Sequence, residues 1–405
     1  MPLTQETFRA DCVSWNGYKP CLIQKAESRP DCFGCDQYEM GPILYDVENQ
    51  TFDIDTLKSA ATLGVVEMGG LGSLLRTSAV THAIREINPS VAITWFTHRR
   101  GAELLKYVPG VAGIDVESMS ADDQQRLVTE LDVLINFELA DPAKDIVAKA
   151  RVVGGFALNA QGKFFGILPY AEYMQRLQID DNFRKRNTLT MQEILLRTIG
   201  LENHEAQYDV DLGAGNYERA DGILREAFGE ERPAEIIGLN IGTSEKGKLR
   251  RWPAERHAAL AQKLGELYPD KGVVILSGPQ DDETRSHVMS GITSEVPNLA
   301  VLPNNIEVGD FIALLSKLRV VVTSDTFGLH AALSQNIPTV ALAGPMPHRE
   351  LELSSKDKLV GPKTSCSPCY NRCSQVIIGQ CMKDIEVEHV AEQVGDLLAQ
   401  GNRQA

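Results

Sequence analysis

Four absences narrow the reading of this chain of 405 residues. No apolar run approaches the ~18 residues that a membrane-spanning helix requires, so no such span is expected. The opening MPLTQETFRADC has no basic region followed by an apolar core, so it does not read as a secretory signal, and the expected compartment is the cytoplasm. Positive charge is in deficit: 40 Lys and Arg against 55 Asp and Glu leave a net charge of −15. That balance argues against a general nucleic-acid binder, whose affinity comes from neutralising phosphates. Finally, no cysteine lies between positions 35 and 366.

The eight cysteines instead form two sets, Cys12, Cys21, Cys32, Cys35 and Cys366, Cys369, Cys373, Cys381. Each contains a C-x-x-C pair. In a cytosolic chain such grouping points to metal rather than to disulfides. Four thiolates in CSPCYNRCSQVIIGQC suit zinc or a single iron by ligand type, and an iron–sulfur cluster stays open. The wider-spaced N-terminal set reads as a second structural site. Free thiols are the plainer alternative for both.

Residues 1–60 are irregular and rich in Cys, Pro, Gly and Asp. Beyond them, short apolar β-branched runs alternate with helical patterns. LGVVEM (63–68), VAITWFTH (91–98), LDVLINF (131–137) and RVVGGFAL (151–158) form a first group of strands. The alternation lapses across roughly 160–235, where 209–222 reads as irregular. It restarts with EIIGLNIG (235–242), GVVILSGP (272–279), LAVLPN (299–304), RVVVTSD (319–325) and TVALAGP (339–345). Such alternation predicts α/β architecture with parallel sheets. Two doubly wound, Rossmann-like domains are expected, with a ligand held in a cleft between them at the carboxyl ends of the strands. The expected divisions are a Cys-rich extension (1–60), a first Rossmann-like domain (61–215), a second Rossmann-like domain (216–385) and a terminal helix (386–405).

Three stretches carry chemistry. In MGGLGSLLRT a strand meets a glycine-rich turn, Gly70 and Gly72, and then a helix start able to bind an anion. In NIGTSEKGKLRRWP, Thr243 follows a strand end. Lys246, Lys248, Arg250 and Arg251 could neutralise a diphosphate before Pro253 opens a helix. In SDTFGLHAALSQNIPTVALAGP, a strand gives way at once to a helix carrying Asp325, Thr326, Gly328 and His330. The next strand brings Gly344 to the same sheet edge. A capping Asp and a packed helix His are the plain structural reading of that segment.

These motifs, in this order, resemble the heptosyltransferase-like inverting glycosyltransferases (glycosyltransferase family 9), which have the GT-B fold. The resemblance covers about 62–395. It rests on the glycine-rich turn, LRRWP, LSGPQDDE (276–283) and SDTFGLH followed by IPTVALAGP. It implies transfer of a heptose or related sugar from an ADP-linked donor to a glycan or protein acceptor, with no catalytic metal. It further implies that Asp325, Thr326, Gly328 and His330 line the donor site as the family's D-T-x-x-x-H segment. Arg250 stands where the family has a diphosphate-neutralising Lys. Gln280 or Asp282 would face the donor. Some relatives that glycosylate autotransporter proteins bind iron at a comparable C-terminal cysteine set. Homo-oligomers and peripheral membrane contact stay open.

Besides Arg250, a second position departs from the family pattern. Relatives read G-x-x-G-D at the glycine-rich turn, with the Asp as general base, whereas this chain has Ser73. A neutral hydroxyl cannot replace a carboxylate base, whose assistance is typically worth ~10²–10⁴-fold in rate. Glu67 or Glu138, both at strand ends, could serve instead, or a thiolate or amine nucleophile could need little help. Otherwise the protein is a non-catalytic sugar-nucleotide binder or scaffold.

Overall fold

The computed structural model of the protein describes residues 12, 14–15, 21, 32, 35–37, 52–158, 162–167, 169–229, 231–296, 298–364, 367–369, 373 and 377–401. It divides into two units, Met1–Asp209 and Val210–Ala405.

In the first unit, β1 (Thr62–Val66), β2 (Ala92–Thr97), β3 (Val111–Asp115), β4 (Val133–Asn136) and β5 (Val153–Leu158) run parallel, and β6 (Phe164–Gly166) closes the edge antiparallel. Their order is β3-β2-β1-β4-β5-β6. Every residue of β4 and β5 is buried. Parallel sheets covered by helices on both faces favour such unbroken apolar strands. The chain leaves β1 in one direction along the sheet and later returns to lay β4 on its other side. The pair β1/β4 is therefore the topological switch point, where α/β sheets open a crevice at their carboxyl ends.

The second unit repeats this plan with six parallel strands. They are β7 (Ile236–Asn240), β8 (Gly272–Leu276), β9 (Leu299–Val301), β10 (Val320–Ser324), β11 (Thr339–Leu342) and β12 (Lys358–Val360). Their order, β12-β11-β10-β7-β8-β9, matches that of the first unit, so β7/β10 is its switch point. Its core gathers β7, β8 and β10 with Trp252, Leu260 and Leu264. The last helix, Val387–Gly401, adds Val390, Val394 and Leu397 to the same core.

Two local differences from the sequence reading have plain causes. Segment 209–222 is irregular only as far as Gly213, beyond which a helix spans Ala214–Phe228. Its Gly and acidic content masked buried Ala220 and Leu224, four residues apart, and Asn216, whose Nδ2 donates to Asp310 Oδ1 at 2.8 Å. Strands β3, β6 and β12 escaped notice because β3 is half-exposed and β6 and β12 have three residues each.

Candidate active site

At the first switch point the chain leaves β1 through Glu67 and turns at Met68–Gly70 into the helix Leu71–Ile87. Gly70 is the helix N-cap, and Gly72 and Ser73 lie in the first turn. Glu67 is buried, with 7% of its surface exposed. Its Oε1 accepts the Gly69 N–H at 2.7 Å. A Cβ on Gly69 would stand 2.4 Å from Glu67 Oε1 and 3.1 Å from Ser73 Oγ. The absence of a side chain at residue 69 is thus what lets the carboxylate and the hydroxyl face one another. The turn is braced by His98, whose Nδ1 accepts the Gly101 N–H at 3.1 Å. The proton therefore sits on Nε2, which donates to Gly69 O at 2.9 Å.

Glu138, just past β4, has a different occupation. Its Oε1 accepts the N–H groups of Leu139 and Ala140, both at 2.9 Å, and its Oε2 accepts that of Met68 at 3.1 Å. It staples the ends of β1 and β4 together. Glu67 lies deeper. Burial, with the Glu138 charge adding to it, raises its pKa from 4.5 to about 7, while the Gly69 N–H, Arg76 and the Ser73 hydroxyl pull the other way. Two neighbouring carboxyl groups held in unlike environments are a common way to set up acid–base chemistry near neutrality.

At the second switch point, the carboxyl ends of β7, β8 and β10 supply the groups. Asn240 closes β7, and its Nδ2 donates to Thr323 Oγ1 at 2.8 Å and Thr326 Oγ1 at 3.1 Å. A Cβ on Gly328 would meet that amide at 2.3 Å, so glycine there lets the helix Phe327–Ser334 start against β7. Arg250 Nη1 donates to Asp325 O at 2.8 Å and to Asp325 Oδ2 at 3.2 Å. His330 lies between two carboxylates, with Nε2 at 3.5 Å from Asp325 Oδ1 and Nδ1 at 3.5 Å from Glu352 Oε2. Two polar atoms of this half-site are buried without a protein partner: Arg250 Nε and Ser277 Oγ, the latter just past β8.

The LSGPQDDE segment places its acids unequally. Gln280 is exposed. Asp282 begins the helix Asp282–Gly291 and accepts Asn304 Nδ2 at 2.6 Å. Between them, buried Asp281 accepts the N–H groups of Thr243 at 3.1 Å and Gly278 at 2.8 Å. Arg251 lies 3.6 Å from the same carboxylate and donates to Thr243 Oγ1 at 2.9 Å. Arg250 and Arg251 are thus divided between β10 and the β7–β8 loops. Lys248 is exposed on the turn Glu245–Arg250, and the Lys246 side chain lies outside the described residues. Arg251 belongs to the basic cluster expected to neutralise a diphosphate, whereas Asp281, Asn240 and Glu352 were not singled out as site residues from sequence. Of these three only Asp281, adjacent to Asp282, left a signal there.

The cysteines test the expected metal sites in part. Among the described residues no group of three or more His, Cys, Asp or Glu side chains is arranged to hold a metal. Cys366 lies outside the described residues. Two other members of that set, Cys369 and Cys381, lie near the loop after β11. The Cys369 N–H donates to Pro345 O at 3.0 Å, and Cys381 Sγ stands 3.4 Å from where a Gly344 Cβ would be. By ligand type, thiolates suit a thiophilic ion. In the N-terminal set the Cys35 N–H donates to Cys32 O at 3.2 Å, closing the C-x-x-C turn. Cys12 and Cys21 are half-buried, and most of the residues between the four lie outside the described set. Nearby Trp15 is buried and donates Nε1 to Phe164 O at 3.0 Å, which ties this segment to β6.

Two doubly wound units, each with polar residues gathered at the carboxyl ends of its switch-point strands, define an α/β protein of the GT-B kind. The chain matches the profile of glycosyltransferase family 9 (heptosyltransferase) over residues 149–376 and belongs to that family. It is 28% identical over 181 residues to lipopolysaccharide heptosyltransferase 2 of Escherichia coli K12, covering 43% of this chain and 49% of the relative. The chain thus spans about half the length of the curated relatives it matches. The fold resembles that of the family 9 glycosyl transferase of Veillonella parvula, with a TM-score of 0.64 and 19% identity over 84% of this chain and 98% of that one. It also resembles the dodecameric iron-containing heptosyltransferase TibC in complex with ADP-D-beta-D-heptose, with a TM-score of 0.52 and 11% identity over 85% of this chain and 79% of that one.

Proposed function

We propose that the protein is an inverting glycosyltransferase that moves a heptose or similar sugar from an ADP-linked donor to a glycan or protein acceptor. The second unit takes the donor. Thr243, Arg250, Asp325, Thr326, Gly328 and His330 meet at its switch point, with Lys248 on the adjoining turn and Gly344 past β11. The orphaned Arg250 Nε–H and Ser277 hydroxyl there suit the oxygens of a diphosphate. Asp281, rather than Gln280 or Asp282, is the acid that shapes the loop carrying Thr243.

The first unit supplies the base. Glu67 is the candidate, because its pKa of about 7 allows it both to lose its proton near neutral pH and to accept one from an acceptor hydroxyl. Glu138 is committed to three backbone N–H groups and holds the turn. The single observation that carries this assignment is the contrast between those two carboxylates.

The C-terminal cysteines, Cys366, Cys369, Cys373 and Cys381, would hold a structural iron or zinc that anchors the Gly344–Pro345 loop. TibC is an iron-containing protein with a related fold, which supports iron. Metal per chain in the purified protein, measured against cysteine variants, tests this point. Among the described residues no helix is long and apolar enough to cross a membrane.

The test of function is turnover of ADP-heptose by wild type, Glu67→Gln and Glu138→Gln, with ADP binding measured in parallel. The proposal expects Glu67→Gln to bind ADP as wild type does while turnover falls ~10²–10⁴-fold. Full turnover in that variant overturns the base assignment. ADP binding by wild type without any transfer or hydrolysis would leave a sugar-nucleotide binding protein.

A further inference from the structure

The base assignment leaves a problem of access. Glu67 is 7% exposed and its Oε1 is already engaged by the Gly69 N–H, whereas Ser73 is half-exposed. Both side chains meet above Gly69, where a single added Cβ would touch Glu67 Oε1 and Ser73 Oγ together. We infer that Ser73 is a catalytic relay: its hydroxyl meets the acceptor hydroxyl and hands a proton on to Glu67. This inference rests on Glu67 being the base and goes beyond it, because it assigns the residue that touches the acceptor.

The transfer balances as follows. The acceptor oxygen forms its bond to the anomeric carbon of the donor and releases its proton to Ser73 Oγ. In the same movement the original Ser73 proton passes to Glu67. The bond between the anomeric carbon and the diphosphate breaks, and the electron pair leaves with the nucleoside diphosphate. Ser73 ends as a neutral hydroxyl and Glu67 as a carboxylic acid, which returns its proton to water. Serine is suited to this role because one hydroxyl both donates and accepts. The surroundings keep the pair in register. Ser73 sits in the first turn of a 17-residue helix, and its N–H donates to Gly70 O at 2.8 Å. The preceding turn is pinned by His98 and by Glu138 through Gly69 O and the Met68 N–H.

The reading explains why a chain that otherwise keeps the family's motifs has Ser where an Asp is expected. The carboxylate has moved to the strand end, six positions earlier in the sequence, and the hydroxyl spans the distance to the acceptor. A serine that only filled space or capped the helix would be replaceable by alanine at little cost in rate.

The experiment compares Ser73→Ala, Ser73→Thr and Glu67→Gln with wild type, using ADP-heptose turnover, ADP binding, and turnover in mixtures of light and heavy water. Ser73→Ala is expected to lose ~10²-fold or more in kcat with ADP affinity kept. Ser73→Thr, which restores a hydroxyl, is expected to recover most of the rate. Wild type is expected to show a curved dependence on the deuterium fraction, because two protons move in one step. Full turnover in Ser73→Ala, an inactive Ser73→Thr, or a linear deuterium dependence each overturns the relay. If Ser73→Ala is fully active while Glu67→Gln is dead, the relay fails and the base assignment stands. If Glu67→Gln is fully active, the base assignment itself has failed and the relay falls with it.

Discussion

Replacing Arg250 with alanine should separate the two tasks this side chain performs in the second unit. Its Nη1 holds Asp325 through the main-chain O at 2.8 Å and the carboxylate at 3.2 Å. The Asp325 side chain is 10% exposed and that of Arg250 is 23% exposed. Stripping the counter-charge from a fully buried carboxylate costs ~3–5 kcal/mol, and the partial exposure of this pair reduces that to about 2 kcal/mol. The second task, on the proposed donor placement, is a hydrogen bond from the unpartnered Nε–H to the donor diphosphate. One hydrogen bond to a charged group is worth ~1.5–3 kcal/mol, so ADP should bind ~10- to 100-fold more weakly. Arg250→Lys keeps the charge without the planar fork and should fall between wild type and alanine on both counts. Calorimetric titration with ADP, run beside urea unfolding, reads both effects. ADP binding to Arg250→Ala as tight as to wild type would refute the placement of the donor phosphates at this end of the sheet.

Three further outcomes follow from the same structure. His257 is fully buried against Trp252, and burial lowers its pKa from 6.5 to about 3. The unfolded chain takes up a proton below pH 6.5 and the folded one does not. This contribution to stability is therefore present above that pH and is lost as pH falls, by roughly 2 kcal/mol between pH 6.5 and 5. His257→Leu should flatten the pH dependence of urea unfolding, and an unchanged slope would contradict the account. Asp281→Asn keeps the shape but loses one of the two carboxylate oxygens that hold Thr243 and Gly278, and should cost ~1–3 kcal/mol in urea unfolding. An unaltered midpoint would count against that clamp. Glu138→Gln removes the charge that helps raise the Glu67 pKa, so the rising, acidic limb of the pH–rate profile should move to lower pH. A limb that stays in place would exclude the coupling.

The sheets were legible because parallel strands buried on both faces leave unbroken runs such as VVVTS and GVVIL, and their polar ends mark the carboxyl edge. Edge strands β3 and β12 were not, because partial exposure and short length erase that signature. The same limit governs the site. Asp325 and His330 stand out because they follow a buried strand directly and in the first turn of the next helix. Gln280, Asp281 and Asp282 are adjacent and polar, and only the fold turns the middle one inward. Glu352 lies in no motif and meets His330 through the chain's path between β11 and β12. Glu67 and Glu138 look alike in sequence, since both follow apolar strands. What distinguishes them is the number of backbone N–H groups each receives and the depth at which it lies, and both are properties of tertiary packing.

The most direct test of the central claim is the pH dependence of kcat/KM for wild-type transfer from ADP-heptose. A base with a pKa of about 7 must be deprotonated to act. The rate should therefore rise with pH, pass its half-maximum close to pH 7 and level off above it. Glu67→Gln should lose that limb together with the rate. A wild-type profile that is flat from pH 5.5 to 8.5, or whose limb persists in Glu67→Gln, would contradict the assignment.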